Sequence, residues 1–73
     1  MNLAQLPDGL DGALTHAIEE CAEVIQEACK VQRFGLAGFH PREPEKGTNR
    51  ARLLVEIAQL RRALGRLEAE IER

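Results

Sequence analysis

Leu14, Ile18, Cys21, Ile25 and Ala28 follow one another at steps of four and three, and Leu53, Ile57, Leu60, Leu64, Leu67 and Ile71 repeat that rhythm. Steps of three and four align side chains on one face of a helix with 3.6 residues per turn. Two rows of similar length predict an all-α fold, an antiparallel two-helix hairpin. Pro7, Gly9 and Gly12 punctuate the start, with Asp11 a candidate cap, so residues 1–12 read as a lead-in and 13–34 as the first helix. Gly35 and Gly38 stop that helix, and Pro41 and Pro44 keep a loop over 35–47 extended. Thr48 or Asn49 then caps a second helix over 48–72. The whole of 1–73 reads as one domain.

Ala17, Val24 and Val31 form a second apolar row on the first helix, displaced by roughly 70° from the first row. One partner helix cannot cover so broad an arc, and a chain of 73 residues buries only about 60% of its unfolded surface. Both points predict a homo-oligomer. Its simplest form is a dimer whose two hairpins make a four-helix bundle, although a trimer or tetramer would cover the same row.

Composition narrows the function classes. Tyr and Trp are absent and Phe occurs twice, too little aromatic surface for a single-stranded nucleic-acid or carbohydrate site. Ten basic residues against twelve acidic leave a net charge of -2, which offers no electrostatic footprint for a nucleic-acid duplex or an anionic membrane. No apolar run exceeds three residues, so neither a membrane span nor a signal-peptide core is expected, and the expected location is the cytoplasm. Cys21 and Cys29 lie about 12 Å apart along one helix, too far for a mutual disulfide. Without CxxC spacing or a Cys/His cluster they read as small buried apolar residues rather than zinc ligands.

Candidate chemistry concentrates on the first helix. His16, Glu20, Glu23 and Glu27 fall within a sector of roughly 60°. Glu19–Glu23 and Glu23–Glu27 are like-charge i,i+4 pairs, an arrangement that asks for a compensating cation. Glu20 borders the Val24/Val31 row, where its carboxylate would reach the rim of a bundle and a hard cation such as Mg²⁺. A plain solvated face remains the alternative. On the second helix Glu56 sits at the edge of the apolar seam, and Gln59 follows one turn later with a neutral amide. Carboxylates drawn from two facing helices are how bundle interiors build metal sites. Arg52, Arg62 and Arg66 read either as phosphate clamps or as an exposed salt-bridged face. In the loop, His40, Arg42 and Lys46 could close over a ligand about Gly35 and Gly38, and Phe34 or Phe39 could stack on a base or anchor the loop. His16 reads as a hydrogen-bonded neighbour of the acidic stripe rather than a general base.

The segment Ile18-Glu19-Glu20-Cys21-Ala22-Glu23-Val24-Ile25-Gln26, continuing to Arg33-Phe34-Gly35, resembles the first motif of the MazG-like all-α nucleotide pyrophosphohydrolases. Short phage-encoded members are the most similar, which would put the protein in a host cytoplasm. Thr48-Asn49-Arg50 and Leu53-Leu54-Val55-Glu56-Ile57-Ala58-Gln59-Leu60 are similar to that family's T-N and L-x-x-E-I-x-D-L stretches. The resemblance spans roughly residues 15–64. It implies that Glu20, Glu23 and Glu56 are catalytic and, with Gln59, hold Mg²⁺ ions that activate water against a nucleoside triphosphate, releasing pyrophosphate and a monophosphate. It implies also a nucleotide-binding set of Glu19, Glu27, Arg33, Asn49 and Arg52. Two departures stand out: Gln59 occupies a position where the family has Asp, and the sequence stops at Arg73 where the family continues into a further basic helix. An amide removes one negative charge from a site for a dication that prefers carboxylates.

Three functions follow as expectations. The first is a nucleotide-binding protein with reduced or lost hydrolysis, sequestering a nucleotide or a nucleotide signal. The second is an active Mg²⁺-dependent nucleoside triphosphate pyrophosphohydrolase in which Glu19 or Glu27 replaces the missing acid. The third is a helical protein-interaction module that uses the acidic stripe and the charged flank of the second helix for recognition.

Overall fold

The computed structural model describes residues 9–73; Met1 to Asp8, most of the expected lead-in with Pro7, lie outside the described residues. Two helices, α1 (Gly9–Phe34) and α2 (Asn49–Glu72), pack along one another as a hairpin, and a 3₁₀ turn at Pro44–Lys46 interrupts the loop. The all-α hairpin expected from the two heptad-like rows is the observed fold. Among the described residues no helix is long and apolar enough to cross a membrane.

Helix α1 starts at Gly9 rather than at residue 13, so the predicted lead-in is too long by four residues. Asp11 sits inside the first turn, where its charge complements the helix dipole instead of capping the end. Gly12 is buried within the helix despite its poor helix propensity. The C-terminal stop is as expected. Gly35 takes φ +80° and its N–H still donates to Val31 O at 2.8 Å, the left-handed close that only glycine adopts cheaply.

Thr48, not Asn49, caps α2, its Oγ1 accepting from Ala51 N–H at 3.2 Å. Asn49 is instead the buried pin between the helices: its amide Nδ2 donates to Gly35 O at 3.1 Å and its backbone N–H to Gly38 O at 2.7 Å. Arg50 N–H adds a bond to Leu36 O at 2.9 Å, and Phe39 pairs with Thr48 in an isolated antiparallel bridge. The loop is thus fastened to the start of α2. Pro44 is not extended but opens the 3₁₀ turn, closed by Gly47 N–H on Pro44 O at 3.1 Å.

The side chains facing across the hairpin differ from those the periodicity singles out. The buried and half-buried positions of α1 include Ala13, His16, Ala17, Glu20, Val24, Glu27 and Val31, the second apolar row merged with part of the acidic stripe. Ile18 and Ile25 are 67% and 63% exposed, and Leu14 and Cys21 are exposed with them. The stronger apolar row of α1 therefore faces outward. Cys29 is exposed as well, so neither cysteine is the buried residue that its small apolar character predicts. On α2, Leu53, Ile57, Leu60 and Leu67 are half-buried and Ala63 is fully buried. Which row faces inward is decided by the rotation of α2 against α1. Periodicity alone carries no such information.

Among the described residues the only buried apolar side chains are Ala13, Ala17 and Ala63. The contact at Gly38 is the tightest constraint in the loop: a Cβ there would lie 2.8 Å from Phe34 O and 3.0 Å from Asn49 Nδ2. A backbone carbonyl cannot step aside as a flexible side chain can. Gly38→Ala is expected to cost about 1–3 kcal/mol, read as a drop of several degrees in a circular-dichroism melt; an unchanged melt would show that the loop does not depend on this contact.

Candidate functional site

Glu20 and Glu27 lie on the buried face of α1, only 6% and 5% exposed, while Glu23 between them stays exposed. Helical spacing explains the alternation: Glu20 and Glu27 are seven residues apart and share a face, whereas Glu23 is rotated toward the outer edge of the same stripe. Across the hairpin α2 brings up Glu56, half-buried. Glu20, Glu23 and Glu56 each offer a carboxylate oxygen, and these oxygens all lie within 4.8 Å of one another. The acidic stripe is therefore not a plain solvated face. Two helices deliver three carboxylates to one point, and these are the three that the resemblance to the MazG-like motifs singles out.

Three negative charges so close cannot all persist without compensation. Burial, then a hydrogen bond with the Glu23 carboxyl, then the charges of Glu23, Glu20 and Glu27 push Glu56 up to about 7 from its ordinary 4.5. Gln59 supplies part of the compensation. The Gln59 amide faces only carboxylate oxygens, which assigns its nitrogen to the inner side; so oriented, it donates to Glu56 Oε2 at 3.1 Å and to Glu20 Oε2 at 3.2 Å, bridging carboxylates of the two helices. A residue that brings no charge is thus placed as a donor in the middle of the acidic group.

Glu27 has its own partners. Its Oε2 accepts from Lys30 Nζ at 3.1 Å, and its Oε1 lies 3.5 Å from Arg52 Nε, buried and without a hydrogen bond. His16 Nε2 stands 3.8 Å from Glu20 Oε1, too far for a hydrogen bond, and His16 Nδ1 is buried without a partner. His16 is therefore a neighbour of the acidic stripe but not bonded to it.

Two cavities adjoin these residues. One of about 620 Å³ is lined by Lys30, Phe34, Phe39, His40, Asn49 and Arg52 among others. Another of about 270 Å³ is lined by Lys46, Arg52, Val55 and Glu56 with Ala51. Arg52 lines both, and so joins the acidic group to the loop.

Of the nucleotide-binding set expected from sequence, Arg52, Glu27 and Asn49 gather here, although Asn49 uses its Nδ2 to hold Gly35 O. Arg33 is exposed in the last turn of α1 and lines neither cavity; Glu19 is half-buried one position before Glu20. Lys30 was not anticipated. Its position three residues after Glu27 is a signal the sequence did carry, since i,i+3 partners meet on a helix. No protein-family model, curated protein or solved structure matches the chain.

The raised Glu56 carboxyl has a consequence for stability. Between about pH 4.5 and 7 the folded chain holds this proton and the unfolded chain does not, so the contribution is complete below that window and is lost as pH rises through 7. In the absence of divalent cations the melting temperature is expected to fall from pH 5 to pH 8. Glu56→Gln should flatten that slope by raising the pH 8 value; an identical slope in the variant would assign the pH dependence to other groups.

Proposed function

We propose that the protein binds a nucleoside polyphosphate at the Glu20/Glu23/Glu56 group and turns it over slowly or not at all. The observation that carries the reduced turnover is Gln59: with its nitrogen assigned to the inner side, its amide donates to Glu20 and Glu56, where a dication would otherwise be the charge that holds the two together. The bridge offsets the repulsion with dipoles rather than with a full charge, and so lowers the demand of the site for a cation. The resemblance to MazG-like pyrophosphohydrolases supports the same conclusion, because Gln59 stands where that family has Asp.

Three carboxylates with oxygens within 4.8 Å suit a hard, oxygen-seeking ion, and Glu20, Glu23 and Glu56 would hold Mg²⁺ if it binds. When bound, Mg²⁺ would neutralise phosphate charge and acidify a water molecule. Arg52 and Lys30 stand beside the group, turned toward Glu27, and supply positive charge for phosphates. A nucleotide held in this way would be sequestered in the cytoplasm, where such pools reside.

Incubation of the protein with a mixed nucleotide pool and Mg²⁺, followed by mass spectrometry, tests the reading. Intact nucleotide retained in fixed ratio to protein is expected, with little pyrophosphate; release far beyond the protein concentration would establish the pyrophosphohydrolase instead. Gln59→Asp is expected to tighten Mg²⁺ binding about tenfold or more and to raise pyrophosphate release, while Glu20→Ala combined with Glu56→Ala should abolish nucleotide retention.

The same proposal includes self-association. Helical geometry displaces the Leu14/Ile18/Cys21/Ile25 row of α1 and the Leu64/Ile71 end of the α2 seam to the same side of the hairpin, and all six side chains are exposed in the single chain. With alanines the only apolar side chains fully buried among the described residues, a second copy on that side would supply a larger core. Sedimentation is expected to give a dimer or larger species that Ile18→Glu converts to monomer; a monomeric native chain of 8.1 kDa would leave the face to another protein.

A further inference from the structure

The 620 Å³ cavity lies beyond the acidic group, enclosed by the last turns of α1, the loop and the first turn of α2. Its size is that of a small-molecule pocket. Two features distinguish it from an ordinary loop crevice. Phe34 and Phe39, the only aromatic residues of the chain, both line it, and they stay 68% and 56% exposed instead of anchoring the loop. Lys30 and Arg52 also line it, and both engage the buried carboxylate of Glu27.

The walls are built to keep their shape. Asn49 holds Gly35 O and Gly38 O, Arg50 holds Leu36 O, and Gly38 packs so closely on Phe34 O that no side chain fits. His40 Nδ1 accepts from Arg42 N–H at 3.1 Å, which steadies the outer part of the loop. Apolar and aromatic walls with cations along one edge match a planar heterocycle that carries an anionic substituent. Arg52 faces the other cavity as well, and Glu56 lines that one. Lys30 is seven residues beyond Glu23, or about 10 Å along the helix axis, so the cavity and the acidic group are near enough to share one elongated ligand.

We propose that this cavity receives the nucleoside end of a nucleoside polyphosphate, with Phe34 and Phe39 against the base and Lys30 and Arg52 toward the phosphate nearest the sugar. The inference rests on the polyphosphate reading of the acidic group and names the part of the ligand that reading leaves unplaced. Recognition by stacking gives affinity with little choice among bases, because every base has an aromatic face.

Calorimetric titration of the whole protein with a non-hydrolysable α,β-methylene ATP, with inorganic triphosphate and with adenosine, each in Mg²⁺, tests it. The nucleotide should bind on the order of five- to a hundredfold more tightly than inorganic triphosphate, the range expected for stacking of one base. Phe39→Ala should bring the nucleotide down to the inorganic level and leave triphosphate binding unchanged. Phe39→Leu, which keeps the apolar bulk and removes the aromatic face, should do most of the same and guards against a folding defect. Equal affinity of nucleotide and inorganic triphosphate in the native protein would overturn the proposal while leaving the acidic site standing. Adenosine binding that Phe39→Ala abolishes, with triphosphate failing to bind, would keep the cavity and remove the polyphosphate reading. Absence of binding by all three would overturn both.

Discussion

The hairpin depends on carboxylates buried between its helices. Glu20 and Glu27 lie almost fully inside the contact, and Glu56 comes up from the other side. Buried carboxylates are costly unless paired or hydrogen-bonded. Their neighbours are explained by that demand: Lys30 and Arg52 at Glu27, and the Gln59 amide spanning Glu20 and Glu56. What remains uncompensated appears at Glu56, raised to about 7 by burial and by the neighbouring carboxylates. With carboxylates occupying part of the contact, alanine is the only apolar residue type fully buried among the described residues, and Val24, Val31, Leu53, Ile57, Leu60 and Leu67 are half-buried.

The apolar rows are displaced as a consequence. Ile18, Ile25, Leu64 and Ile71, which would make the core of an ordinary hairpin, are exposed, while Glu20 and Glu27 occupy the inner face. One face of the helix pair gathers charge, and another leaves large apolar side chains exposed. The loop ties the end of α1 to the start of α2 through Asn49 and the close approach of Gly38, and a cavity lies at that end of the hairpin.

The legible part of the candidate site was the set of carboxylates. Glu20, Glu23 and Glu27 share a stripe by helical arithmetic, and Glu56 stood out as an acid at the edge of an apolar seam. Less legible was which of these would be buried, since Glu23 and Glu20 differ by less than one turn yet one is exposed and the other enclosed. The role of Gln59 was partly visible: its neutrality could be read, its two donated bonds could not, because they require a carboxylate from each helix. Lys30 went unnoticed although its spacing from Glu27 was available. Arg33, prominent beside Phe34, is directed by its place in the last turn away from both cavities.

The chain by itself determined the all-α class, the two helices and the points where they stop, because propensity, periodicity and the special backbone of glycine act over a few residues. Gly35 ends α1 and Thr48 starts α2 through bonds that reach no further than four positions. The tertiary structure decided which apolar row would face inward, that the cysteines would lie at the surface, and that Gln59 would bridge two acids. Those outcomes depend on the rotation of one helix against the other. Contacts between residues 35–38 and 49–50, made only when the loop folds back on α2, join the two helix ends, and no local pattern encodes the rotation at which the helices pack.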